Sequence, residues 1–241
     1  MRARHAILLT LVVFMMISSG CLDNWSPSTS PAKSPAVTTS VSEFDFGFVE
    51  PYTILPYPFY AHSTGTLPLT FYSASGSSWS RLGETPGNGN ILPGDSLQLV
   101  CWYRSRDYNA TGYRPITVYF NDGDLSIVFN LAGYLLEYFE HPLETDSLRR
   151  EFPFTGSSDE LTSLVPFYNT TEDTAWITPV LLPDSRVDVS FPEFIPPQET
   201  SWVEIDVNGR PVGSSYYQAT TFDVQTSYSS RYTIGIYRAG K

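Results

Sequence analysis

The 241-residue chain has little of what most sites of chemistry are made from. It has two cysteines, three histidines and two lysines, Lys33 and Lys241. Two cysteines, Cys21 and Cys101, make no disulfide framework. A bridge between them is one reading. The other leaves Cys101, within Leu97 to Trp102, as a small buried hydrophobe. Beyond residue 20 the histidines are His62 and His141, neither of them at metal-ligand spacing from a cysteine or carboxylate, so no metal or other cofactor is expected. The chain has no G-x-S-x-G elbow, H-E-x-x-H pattern or phosphate-cradling glycine loop, so no catalytic residue is singled out. Basic residues are few, with 14 Lys plus Arg against 25 Asp plus Glu and a net charge of −11. Such a surface repels phosphate backbones, which excludes nucleic acid as a partner.

Long apolar runs are also missing. The longest, Ala6 to Ile17, has 12 residues, short of the roughly twenty that span a bilayer as a helix. It follows the basic head Met1 to His5 and precedes Ser18-Ser19-Gly20-Cys21. This is the layout of an export signal over residues 1–20. The small residues and the cysteine resemble the lipobox of prokaryotic lipoproteins, although Ser18 stands where the bacterial pattern prefers Leu. The resemblance implies a lipid on Cys21 and a place on the outer face of the cell membrane. Plain signal cleavage and an uncleaved anchor remain the alternatives. Residues 21–41 are rich in Ser, Thr and Pro and are expected to form a flexible stalk.

What the chain does have is 36 aromatic residues, with Pro, Gly, Ser and Thr between them. That balance favours strands and turns. Phe44, Phe46 and Phe48 alternate with Asp45 and Gly47, and short aromatic or branched runs follow. Asn121-Asp122-Gly123-Asp124, between two such runs, predicts a hairpin rather than a calcium loop. Val207-Asn208-Gly209-Arg210 predicts another. The pattern restarts near Leu148. Phe152-Pro153-Phe154 answers Phe44-Asp45-Phe46, and Phe167-Tyr168 answers Phe59-Tyr60, both at an offset of 108. Ile195-Pro196-Pro197 answers Leu92-Pro93-Gly94 at 103, and Arg238-Ala239-Gly240 answers Leu131-Ala132-Gly133 at 107. The expectation is an all-β protein of two tandem immunoglobulin-like β-sandwiches, residues 42–136 and 137–241. Apolar Leu135, Leu136 and Phe139 at the junction predict that they abut.

The first copy resembles the ASH/hydin-type immunoglobulin-like domains through Phe44 to Val49, Gly65-Thr66-Leu67-Pro68-Leu69, Leu92-Pro93-Gly94 and Leu131-Ala132-Gly133. His62-Ser63-Thr64-Gly65 departs from the asparagine that the family often has before its turn, while Asn169 falls near that position in the second copy. The resemblance implies a binding, spacing or assembly module and no catalytic residues.

Three sequons, at Asn24, Asn109 and Asn169, are candidate N-glycosylation sites. Trp102 and Trp202 are expected in the core, and His62 in a turn. Trp79, in the polar stretch Ser75 to Ser80, is the candidate ligand contact, since an indole on a loop can stack on a sugar or anchor a protein. The leading expectation is a non-enzymatic, lipid-anchored surface protein that binds an envelope protein or glycan. A carbohydrate-binding module using Trp79 is the alternative, and a carboxylate-based hydrolase a lesser one.

Overall fold

The computed structural model describes residues 33–83, 89–107, 113–152, 161–208 and 216–239. Cys21, Asn24 and Asn109 lie outside them, as does the Gly209-Arg210 turn. The first nine strands are β1 (Val37–Thr39), β2 (Glu43–Val49), β3 (Ile54–Ser63), β4 (Leu69–Ser75), β5 (Ser80–Leu82), β6 (Asn90–Ile91), β7 (Ser96–Arg104), β8 (Arg114–Phe120) and β9 (Leu125–Leu135). Nine more follow: β10 (Leu143–Thr145), β11 (Arg149–Phe152), β12 (Leu161–Asn169), β13 (Ala175–Leu181), β14 (Val187–Ser190), β15 (Phe194–Ile195), β16 (Thr200–Val207), β17 (Tyr216–Gln225) and β18 (Ser229–Arg238).

The second nine repeat the first in order and pairing. One four-stranded sheet runs β1-β3-β7-β5 and its counterpart β10-β12-β16-β14. In both copies the opening segment splits between sheets. β1 and β10 pair antiparallel with β3 and β12, while β2 and β11 pair parallel with β9 and β18. These are two immunoglobulin-like sandwiches, and the fold is all-β.

Hydrogen bonds fix which residues are equivalent. Ser63 N donates to Asp95 O and Gly94 N to Ser63 O; Asn169 N donates to Glu199 O and Gln198 N to Asn169 O. Ser63 thus corresponds to Asn169, an offset of 106, and Gly94 to Gln198, an offset of 104, both of the latter with positive φ. The aromatic matches at 108 are therefore two residues out of register. Alternation repeats every two residues, so a slip of two keeps each side chain on its own face and leaves the pattern intact.

Alternation also corrects both tryptophans expected in the core. Leu99, Cys101 and Tyr103 point inward on β7, so Trp102 faces out and is half-buried. Val203, Ile205 and Val207 point inward on β16, so Trp202 faces out, 54% exposed. Val37 to Thr39 form strand β1 inside the stretch expected to be stalk; three β-branched or hydroxyl residues suffice for a short edge strand.

The remaining strands form one sheet across both sandwiches, in the order β15-β13-β17-β18-β2-β9-β8-β4-β6, with β11 also on β18. β18 and β2 meet in parallel at Tyr232 and Phe48. The two cores exchange side chains there. Phe48 and Leu136 pack on the second core, whereas Ala219 of β17 belongs to the first. Residues from Pro35 onward accordingly form one compact unit. A bulge in β2 makes this seam. Its register with β9 shifts between Asp45 and Phe48, Gly47 has φ +66°, and Gly47 N donates to Asp45 Oδ1 at 2.8 Å.

A cationic tryptophan cluster on the first sandwich

Trp79 precedes β5 and is half-buried, so it is not a bare platform on a loop. Its carbonyl accepts a hydrogen bond from Arg104 N at 2.6 Å, which ties the turn to the end of β7. The guanidinium carbon of Arg114 stands 5.1 Å from the indole centroid and that of Arg106 stands 5.7 Å from it. Arg106 Nη2 also donates to Ser78 O at 3.5 Å. The ring proposed as a sugar platform is thus bracketed by two cations, within the range where ring faces attract positive charge.

Two more arginines continue the patch. β5 pairs with β7 so that Arg81 lies opposite Trp102, and its guanidinium sits 5.1 Å from that indole. Arg104 follows at the end of β7. Its pKa is pushed below the ordinary value, first by burial and then by Arg81 and Arg106, with Tyr217 opposing. None of Arg81, Arg104, Arg106 and Arg114 is in an ion pair among the described residues. The Nε atoms of Arg104 and Arg114 are buried without a hydrogen-bond acceptor. Asp107, the neighbouring carboxylate, instead bonds Tyr52 and pushes that phenol's pKa up. Among the described residues, this leaves four arginines around two indoles without an ion-pair partner. Such a site attracts anions, with planar guanidinium groups suited to carboxylate, sulfate or phosphate oxygens.

A groove at the seam is lined by two carboxylates, Asp45 and Asp223. It encloses about 380 Å³ and is lined by Asp45, Gly47, Phe48, Tyr134, Asp223, Ser229, Ser230 and Arg231. Asp223 takes both of its bonds from Arg231, at 2.6 and 3.0 Å, and Arg231 Nη1 donates to Asp45 O at 3.1 Å. The bonds to Asp223 hold the Arg231 pKa above its ordinary value. These groups lock the bulge of β2 onto β18, an architectural task.

The other sequence expectations fall in separate places. Asn169 is fully buried. Its Nδ2 donates to the carbonyls of Asp173, Ile195 and Pro196 at 2.8, 3.0 and 3.2 Å, and its Oδ1 accepts from Thr171. A glycan is attached at that nitrogen, and one at Asn169 would displace these bonds. Ser63 occupies the equivalent place in the first copy, with its buried hydroxyl unpartnered. His62 lies on β3 rather than in a turn, and its Nδ1 is 2.6 Å from Ser96 Oγ. Cys101 is a buried free thiol whose pKa burial pushes up to about 12. The Asn121 to Asp124 segment closes the β8–β9 hairpin, with Asn121, Asp122 and Gly123 at positive φ. Among the described residues, no group of three or more His, Cys, Asp or Glu side chains could hold a metal ion.

Sequence reasoning missed the arginines because they are far apart in the chain. The signal that could have found them is that β1, β3, β5 and β7 contain no Asp or Glu.

No family model matches the chain, and no curated protein matches it. Among solved structures, a protein of unknown function from Porphyromonas gingivalis W83 aligns at 10% identity and TM-score 0.33, over 84% of this chain and 99% of that one. The ASH/PapD-like domain 7 of human CEP192 aligns at 11% and 0.36, over 48% and 95%. The VesB protease of Vibrio cholerae aligns at 13% and 0.35, over 72% and 62%. The assignment of an immunoglobulin-like fold rests on the strand order and pairing described above.

Proposed function

We propose that this is a non-enzymatic binding protein that is held on the outer face of a cell membrane by a lipid on Cys21 and presents its two joined sandwiches to an anionic partner. The observation that carries the reading is the set of four arginines, Arg81, Arg104, Arg106 and Arg114, gathered around Trp79 and Trp102 with no ion pair among the described residues. Like charges kept together at a cost to folding are best explained by a ligand that relieves them. The ASH-like resemblance of the first copy fits a module of this kind. Anchoring would take two acyl chains, since one alone binds a bilayer only marginally. The shared sheet would make the sandwiches a single rigid body, so that binding at one end costs little ordering entropy.

Two measurements test this. An immobilised sulfated polysaccharide should retain the purified protein at low salt, and Arg106→Ala with Arg114→Ala should elute at clearly lower salt. Elution of that variant with the wild type would remove the cluster as the binding site. Cys21→Ala should move the protein from the membrane to the soluble fraction, and a variant that stays with the membrane would end the lipid-anchor reading.

A further inference from the structure

The two four-stranded sheets are built alike, and their outward faces carry opposite charge. Strands β1, β3, β5 and β7 contain no Asp or Glu and contribute Arg81 and Arg104 to their outer face. Strands β10, β12, β14 and β16 contain no Lys, Arg or His. Their outer face carries Glu144, Asp188, Glu204 and Asp206, none of them in a salt bridge among the described residues. The contrast reaches single positions. Arg81 pairs across strands with Trp102, and at the equivalent place in the second sandwich Asp188 pairs with Asp206. Among the described residues, Asp188 accepts from Asn208 and Asp206 from Thr162, both neutral, which leaves the two charges in place.

Both faces also have an apolar centre. On the acidic face Leu164 is 56% exposed, next to Trp202 and the cross-strand partner of Trp202, Pro166. On the basic face Pro56, Pro58 and Val100 are half-buried beside Tyr60, which is 43% exposed. Large exposed side chains on a sheet face whose charges are all of one sign are the composition of a contact surface. The chain itself supplies the complementary surface.

We propose that the acidic outer face of the second sandwich docks onto the basic outer face of the first sandwich of another copy, so that the protein associates head to tail. This rests on the cationic cluster being a binding site and names its partner as a second copy of this chain. Opposite potentials favour the encounter and set its register, while Trp202 and Leu164 meeting the Pro56, Pro58 and Val100 surface exclude water. Because the two faces differ, the contact is heterologous. Each copy keeps one face free, and association continues as a chain or closes as a ring.

The test uses the full chain in detergent micelles, followed by sedimentation velocity over a wide concentration range. The wild type should grow in mass with concentration at low ionic strength, and growth should weaken in high salt. Arg81→Gln removes charge from the basic face, and Asp188→Asn with Glu204→Gln removes it from the acidic face. All three side chains are exposed, so both variants should keep the wild-type melting transition. Each alone should self-associate at least about tenfold more weakly. Mixed, they should form a one-to-one complex that grows no further, because each keeps one intact face. A wild type that is monomeric throughout, variants that assemble like the wild type, or a mixture that stays monomeric would each overturn the proposal. If the wild type stays monomeric yet the polysaccharide retains it through Arg106 and Arg114, the anionic-ligand reading stands and only the self-association falls.

Discussion

Phe48 and Tyr232 lie opposite each other across parallel strands, with ring centroids 5.2 Å apart. One residue comes from each sandwich, and through this pair two cores become one compact body. Around it, Leu148 N donates to Glu50 Oε2 and Thr233 Oγ1 to Phe46 O, so the seam is both apolar and hydrogen-bonded. Phe48→Ala removes a large, partly buried side chain packed on the second core and should cost less than the about 3–5 kcal/mol of a fully buried phenylalanine. Calorimetry should show one unfolding transition for the wild type and two for the variant, because the cut falls where the sandwiches are coupled.

Gly47 allows the bulge that brings Phe48 to this position. Its φ of +66° disfavours any side chain, and a Cβ would run into the carbonyl oxygen of Arg231. The left-handed conformation alone costs roughly 1–2 kcal/mol in a residue with a Cβ. Gly47→Ala should therefore lower the melting temperature by at least about 2 °C. A variant that melts with the wild type would show that β2 does not need the bulge.

Asn169 joins the end of β12 to the turn after β15. Asn169→Ala would remove a donor from three carbonyls, of which Asp173 O keeps Thr171 Oγ1 and Pro196 O keeps Glu199 N, and a buried polar group left unsatisfied costs about 1–3 kcal/mol. Urea denaturation should show a loss within that range. Glycopeptide mass spectrometry of the exported protein should find Asn169 unmodified.

Alkaline pH should destabilise the fold through its buried acids. Burial raises the Cys101 thiol and the Tyr103 phenol each to about 12, from ordinary values of 9.0 and 10.0. Both are neutral when protonated, and both stay protonated in the folded state after the unfolded chain has begun to ionise. Their contribution is whole below the unfolded values and is lost as pH rises toward about 12. The slope is about 1.4 kcal/mol per pH unit for each group. Thiol titration should find Cys101 unreactive in the folded protein near pH 9 and reactive once urea unfolds it, whereas Cys101→Ser should flatten the first part of the alkaline loss.

The strand content, the doubling and the hairpin at Asn121 to Asp124 were legible in the sequence, because they depend on side-chain alternation and on residues that accept positive φ. Register was not. A period of two cannot separate an offset of 108 from one of 106, and only the bonds from Ser63 to Asp95 and from Asn169 to Glu199 decide it. The outward placement of Trp202 was within reach, since Val203, Ile205 and Val207 already claim the inner face.

The chain by itself determined an acidic all-β protein with two related halves, since composition and alternation are local properties. Tertiary structure alone decided that the halves share one sheet through Phe48, that Asn169 is walled in, and that four arginines from three strands and a loop converge on Trp79 and Trp102. Each of these depends on which strand lies beside which, and strand neighbours are set by packing and hydrogen bonding between residues distant in the chain.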